Sequence, residues 1–457
     1  MSCKPSQVVH GQWSNRLTYV LAATGAAVGL GNIWKFPYIM GENGGGAFVL
    51  VYLACIAIIG VPVMIAEVYL GKQGRQSPMR SVARVVQENK SAPAWRFVGA
   101  MGVIAGYLIL SFYAVVAGWA LAYVFKAAGG GFAGASPAYL QDTFELFVSS
   151  PVQLLSWTSI VLIVTVVVVA KGVQNGLEKA TRFMMPGMLV LLLFIVGYSA
   201  VYGDFTAAFN FMFAADFDKL TTESVLTALG HSFFSLSLAS GIMIMYGAYL
   251  PKNTSIIKSS IWIAIADTCV ALLAGLAIFP IVFAFQLEPG AGPGLIFQTL
   301  PLAFGQMPGG RLLGSLFFIM LVFAAFTSAI ALIESSVAWL IESKGFSRVQ
   351  AAIAAGFGLW LLSLLSIFSF VGHDWTRLAL FGTSHSLFEW IDSLTANVML
   401  PLGGFFISLF VGWKVAADRL NGELNINTKQ LTVLRVLLQF ICPLIILLVF
   451  LNLIGVL

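Results

Sequence analysis

Trp13–Phe48 reads WSNRLTYVLAATGAAVGLGNIWKFPYIMGENGGGAF, and the reading of the whole chain follows from it. Between Arg16 and Lys35 lie 18 uncharged residues, nearly enough for one membrane crossing. Its middle, Gly25-Ala26-Ala27-Val28-Gly29-Leu30-Gly31-Asn32, carries three glycines where a spanning helix should be strongest. Each interior glycine costs about 1 kcal/mol relative to alanine, and the backbone is freed to leave the helix. A backbone that unwinds at membrane depth must line a cavity or meet a ligand, because lipid cannot satisfy its carbonyls and amides. A close-packing small-residue face from Gly25 to Gly29 accounts for the same spacing. Asn32, and a repeat of the theme further along, weigh toward a binding site.

Composition frames this stretch. The chain has 457 residues, 59% hydrophobic and 9% charged, with a mean hydropathy of +0.93. A soluble chain carries about a quarter of its residues charged, so this is a polytopic membrane protein. No cleavable signal peptide is evident at the polar start. Cys3, Cys55, Cys269 and Cys442 are scattered and suggest neither a disulfide framework nor a metal site. The net charge of +5 reads as topology, not as a nucleic-acid footprint.

Eleven crossings are expected, near 14–40, 46–70, 97–125, 153–171, 182–202, 223–250, 256–285, 310–341, 348–369, 386–413 and 432–455. Basic loops (Lys72, Arg75, Arg80, Arg84, Lys90 and Arg96 in the first) alternate with acidic ones (Asp204, Asp216, Asp218). That alternation puts residues 1–13 in the cytoplasm and, with an odd count, the C-terminus outside. The polar stretch 72–96 reads as a solvated, lipid-facing amphipathic segment. The Pro/Gly-rich loop 286–309 suits a re-entrant hairpin, a loose surface loop being the alternative.

Five helices after the first interruption, Ser235-Leu236-Ser237-Leu238-Ala239-Ser240-Gly241 breaks another apolar run. Five is odd, so the second unit enters from the opposite side. The expected fold is all-α with eleven transmembrane helices. It divides into an inverted repeat of five helices over 14–202, a second over 223–413 with helices 1 and 6 broken, and a last helix at 432–455. Matching interruptions in inverted halves point to a transporter with its site at the midplane, where half-helix N-termini attract a carboxylate and freed carbonyls hold a cation. A channel would carry a filter and charged rings, and neither is seen. No metal cluster or nucleophile–base pair marks an enzyme.

The first stretch is also similar to a known signature. Trp13, Arg16, Ala27-Val28-Gly29-Leu30-Gly31-Asn32-Ile33-Trp34, Phe36-Pro37-Tyr38 and Glu42-Asn43-Gly44-Gly45-Gly46-Ala47-Phe48 resemble the first helix of the neurotransmitter:sodium symporter family, and the likeness runs to about Trp413. The bacterial amino-acid transporter branch, with the leucine-transporter fold, is the nearest pattern. The resemblance implies sodium-coupled symport in a bacterial inner membrane, by alternating access.

The resemblance assigns roles residue by residue. Glu67, a costly intramembrane carboxylate in its own right, matches the glutamate that accepts from amides freed at the sixth-helix break. Tyr113 matches the tyrosine that touches the substrate carboxylate. One sodium site would use the Ala27 carbonyl, Asn32, Ser235 and Asp267. A second would use carbonyls of Gly25, Val28 and Ala324 with hydroxyls of Thr327 and Ser328. Thr327-Ser328 alone is weak, since such hydroxyls usually bond their own backbone; the weight lies in the match Phe323-Ala-Ala-Phe-Thr-Ser-Ala-Ile-Ala. The substrate pocket would combine Ala27, Gly29, Leu30, Gly31, Ile109, Tyr113, Phe234, Ser235, Ser237, Ser240, Ser328 and Leu332. Amine-transporting relatives have an aspartate at Gly29, so a substrate bringing its own carboxylate is expected, a neutral hydrophobic or aromatic amino acid.

Departures from the family pattern carry further expectations. The usual outer arginine is Lys35, expected to pair with Asp392, with Phe234 and Tyr113 as a thin gate; lysine offers a point charge, not a fork. At the inner gate an arginine becomes His10, with Glu342 as its partner, which would make the latch pH-sensitive; Lys4 in that role, or an ordinary tail histidine, are the alternatives. Asp267 replaces an asparagine, which would make chloride unnecessary and let Asp267 and His231 share a proton on the empty return step. An aspartate merely bonded within the bundle is the plainer reading. Sodium and an amino acid are the expected ligands and the bilayer the surroundings, with no nucleic acid or obligate protein partner. A sensor that keeps the site without net transport is the competing function.

Overall fold

The computed structural model describes residues 11–287, 293–380 and 383–456. The expected gate residue His10, and most of the N-terminal tail, lie outside them. Among the described residues, nine unbroken helical stretches are long and apolar enough to cross a membrane: Gly46–Gly74, Pro93–Ala128, Pro151–Ala170, Val173–Tyr202, Ile256–Ala284, Gly310–Lys344, Arg348–Val371, Leu387–Lys414 and Thr428–Leu453. A tenth is a bent pair, Arg16–Ala27 and Gly31–Glu42, whose limbs meet at 72°. Where the sixth crossing is expected, Thr222–Ser235 and Ile242–Ala248 flank an irregular stretch over 236–241.

Local chemistry explains both interruptions. Asn15 caps the first limb, its side chain accepting from the Thr18 amide (3.0 Å) while Thr18 Oγ1 accepts from the Asn15 amide. The limb ends where Val28 turns extended (ψ 105°). In the second break Ser237, Ala239 and Gly241 all take left-handed backbone (φ 52°, 60° and 79°). For the two residues with a Cβ this conformation costs about 1–2 kcal/mol each, so the surroundings must hold it. Helix Phe97–Ala128 presses directly on the break: a Cβ on Gly106 would stand 2.7 Å from the Ser240 carbonyl oxygen. Only glycine allows that approach.

Two loops behave differently from each other. Ile296, Phe297, Leu300 and Ala303 of the 286–309 segment are buried, and Phe297 lies against Phe144 and Trp119 (both 5.7 Å between ring centres). Its described part, residues 293–309, therefore packs into the bundle, as expected of a re-entrant element. The stretch 72–96 departs from its expectation. Its helix Pro78–Glu88 buries Val82, Val85 and Val86 against Val61–Gly74 and Phe97–Ala128, so its apolar face is covered by protein and not by lipid. A short hairpin, Arg377–Leu380 paired with Thr383–Ser386, was not anticipated.

Candidate functional site

The two breaks face one another across a cavity closed by helices Phe97–Ala128, Gly310–Lys344 and Leu400–Leu409. Ala27, Gly29, Leu30, Gly31, Ile109, Tyr113, Phe234, Ser237, Ser240, Ser328 and Leu332 all line it. Of the expected substrate residues only Ser235 does not, because its hydroxyl turns behind the wall. Ile242 and Leu400 also line the cavity and were not foreseen. Gly29 leaves little room for a side chain: a Cβ there would lie 3.2 Å from Tyr113 Oη and 3.4 Å from Ser328 Oγ. The Tyr113 hydroxyl accepts from the Leu30 amide (3.4 Å), so it sits at the opened backbone.

Behind this wall is a buried polar knot. Asn32 Nδ2 donates to Asp267 Oδ1 (2.9 Å) and to Ser235 Oγ (3.0 Å), while its Oδ1 accepts from the Gly29 amide (3.1 Å). The Ser235 hydroxyl donates to Asp267 Oδ2. Asp267 is fully buried, and among the described residues no cationic side chain comes within 4.0 Å of it. A buried carboxylate with only neutral donors calls for a positive charge nearby.

The second oxygen cluster surrounds Ser328. Its hydroxyl lies 3.3 Å from the carbonyl oxygens of Ala26, Val28 and Ala324 and 3.4 Å from that of Gly25. Thr327 Oγ1 donates to the Ala324 (2.9 Å) and Phe323 (3.1 Å) carbonyls. One hydroxyl proton cannot serve four acceptors. A surplus of hard oxygens around one point is the donor chemistry of a small cation, and no group of three or more His, Cys, Asp or Glu residues suited to a softer metal occurs among the described residues. Residues of the two sets fit sodium.

The supporting groups fall as follows. Glu67 Oε1 accepts from the Ala239 amide (2.6 Å), as expected, while its fully buried Oε2 has no partner among the described residues. His231 does not reach Asp267: its ring stacks on Phe36 (5.4 Å) and neither ring nitrogen is hydrogen-bonded among the described residues. Both Asp267 oxygens are already engaged, which leaves the shared proton without a direct bond.

A second cavity of about 330 Å³ lies on the other side of Phe234, and Lys35 and Asp392 both line it. They do not form an ion pair within 4.0 Å; Lys35 Nζ instead lies 5.7 Å from the centre of the Phe234 ring. An ammonium over an aromatic face is attracted to it, so the expected salt link is open here. Asp392→Asn should leave substrate binding within about threefold and hold the path open for longer. A cysteine placed at Ala396, in this cavity, should then label faster than in the unmodified background. Equal labelling rates would discard the Lys35–Asp392 gate.

At the opposite end Glu342 accepts from the Ser77 amide (2.7 Å) and hydroxyl and lies 3.8 Å from Arg80. A second buried charge there went unforeseen: Glu334 pairs with Arg348 (2.6 Å) and accepts from the Tyr249 hydroxyl. The signal existed, since a lone glutamate in an apolar helix carries the same meaning at 334 as at 67.

Comparison with known proteins bears on the family and the fold. The sodium:neurotransmitter symporter family profile matches residues 10–134 and 141–456. The chain is 38% identical over 453 residues to "Uncharacterized sodium-dependent transporter YhdH" of Bacillus subtilis (strain 168), covering 98% of each. It is 31% identical over 450 residues to an uncharacterized sodium-dependent transporter of Haemophilus influenzae, covering 96% of this chain and 97% of the relative. A crystal structure of MhsT in complex with L-phenylalanine superposes with a TM-score of 0.87 at 38% identity, covering 97% of this chain and 99% of that one. The class is that of multi-pass helical membrane transporters. The chain belongs to the sodium:neurotransmitter symporter family.

Proposed function

We propose that this protein carries neutral amino acids with apolar, including aromatic, side chains into the cell together with sodium, without a need for chloride. The observation that carries the reading is the cavity between the two helix breaks. It offers freed backbone and the Tyr113 hydroxyl at Gly29, where the family's amine carriers have a carboxylate, and apolar walls from Ile109, Ile242, Leu332 and Leu400. An amino acid bringing its own carboxylate supplies the charge that Gly29 lacks. The phenylalanine bound by MhsT supports the aromatic end of that class.

The Asn32–Ser235–Asp267 knot with the Ala27 carbonyl would hold one sodium, and Thr327 and Ser328 with the carbonyls of Gly25, Val28 and Ala324 a second. Both sets join the first broken helix to another helix, so an ion bound there favours the closed arrangement over one in which the helices part. Glu67 holds the sixth-helix break in shape. Positive loops place the N-terminus in the cytoplasm.

Purified protein in liposomes, with and without an inward sodium gradient, tests the reading across the twenty amino acids. Accumulation of one or more apolar amino acids, at least about tenfold above the gradient-free control, is expected; a tenfold accumulation corresponds to about 1.4 kcal/mol. Binding without sodium-driven accumulation of any of them would replace transport with sensing.

A further inference from the structure

At the end of the bundle that carries the basic loop of Arg75, Arg80 and Arg84, a groove of about 330 Å³ opens between three elements. Helix Pro78–Glu88 ends on one side of it, the helix ending at Lys414 on a second, and Thr428–Val436 on the third. Lys90, Lys414, Arg419 and Arg435 line the groove, with Glu88 the only acidic residue among its lining. Glu88 is already engaged by Arg84 (2.9 Å), which leaves an excess of cationic charge. Arg435 is held in place by an Nη2 bond to the Gly412 carbonyl (3.4 Å), yet its buried Nε has no partner among the described residues.

The groove also has an apolar continuation. Trp413 lines its edge with its indole N–H donating to the Gln439 carbonyl (3.0 Å), and its ring meets Phe440 edge-on (5.2 Å). From there Val436, Phe440 and Leu444 run down one exposed side of the last helix (41%, 55% and 60% exposed). At a spacing of four residues they form a single stripe along the helix. A tryptophan at this level marks the membrane interface. The groove therefore joins cations at headgroup height to an apolar track at acyl-chain height.

We propose that this groove is a binding site for an anionic membrane phospholipid. The phosphodiester is taken by Lys414, Arg419 and Arg435, and one acyl chain lies along Val436, Phe440 and Leu444. Basic pockets between helices on the cytoplasmic side suit such headgroups, and guanidinium groups pair with phosphate oxygens through two hydrogen bonds at once. A free phosphate would satisfy the cations but leave the apolar stripe unused. The site does not depend on which amino acid is carried.

Native mass spectrometry of the full chain, purified in mild detergent and supplied with phosphatidylglycerol or phosphatidylcholine, tests the proposal. The wild type should retain about tenfold more phosphatidylglycerol than phosphatidylcholine, a ratio worth about 1.4 kcal/mol. K414Q/R419Q should lose that preference and the charge-keeping K414R/R419K should keep it. Inorganic phosphate should not displace the lipid. Equal retention of the two lipids, an undiminished preference in K414Q/R419Q, or full displacement by phosphate overturns the site. Should K414Q/R419Q not purify as a monodisperse species, Lys414→Gln alone decides in its place by the same ratio.

Discussion

Sodium-driven uptake is expected to vanish when Thr327 and Ser328 are both replaced by alanine. Ser328 Oγ stands among the carbonyls of Gly25, Ala26, Val28 and Ala324 at 3.3–3.4 Å, so its helix and the first break share one oxygen cluster. Alanine removes two side-chain oxygens from that cluster and leaves the backbone ones. A hydroxyl bonded to a charged group contributes roughly 1.5–3 kcal/mol. Losing two of them should weaken sodium binding by at least about a hundredfold. The helix itself should persist, because alanine is the best helix former and Thr327 bonds, among the described residues, to the preceding turn. The measurement is amino-acid binding titrated with sodium in detergent, beside uptake in liposomes. An apparent sodium affinity within threefold of wild type would remove these residues from the site.

The second large effect concerns chloride. Wild-type uptake should be unchanged, within about twofold, when chloride is replaced by gluconate, because Asp267 already brings the negative charge that a sodium ion in a dry pocket requires. Asp267 is fully buried and, among the described residues, receives only the neutral donors of Asn32 and Ser235. Asp267→Asn keeps the shape and removes the charge. Chloride-free uptake should then fall at least about tenfold, a loss of about 1.4 kcal/mol or more, with partial recovery when chloride is returned. A wild type that stops in gluconate, or a mutant that works equally well there, defeats the assignment.

These residues were legible because each breaks a rule of its surroundings. Glycines, a carboxylate or an amide inside an apolar run stand out in any reading, and Gly29, Asn32, Glu67 and Asp267 were found that way or by their match to the family pattern. Ile242 and Leu400 line the same cavity yet left no trace, since an apolar residue in an apolar helix looks alike whether it faces substrate, a neighbouring helix or lipid. The helix at Pro78–Glu88 shows the same limit from another side: its periodicity revealed an apolar face and was silent on what covers it. Pairings across the chain were hardest. Lys35 and Asp392 share a cavity without touching, and His231 stacks on Phe36, because such contacts depend on distances that no linear spacing encodes.

Phe234 and Leu400 line both cavities, so at that level they form the divide between them. On the proposed cycle, this divides the work between two clocks. Turning a side chain in an accessible position takes picoseconds to nanoseconds, whereas rocking packed helices takes microseconds to milliseconds. An amino acid can therefore cross the ring and return many times before the helices move once. Arrival behind Phe234 is reversible sampling, and the slow step acts only on molecules that stay. Selectivity then lies in residence time within the inner cavity, which a poorly fitting amino acid leaves before the bundle responds.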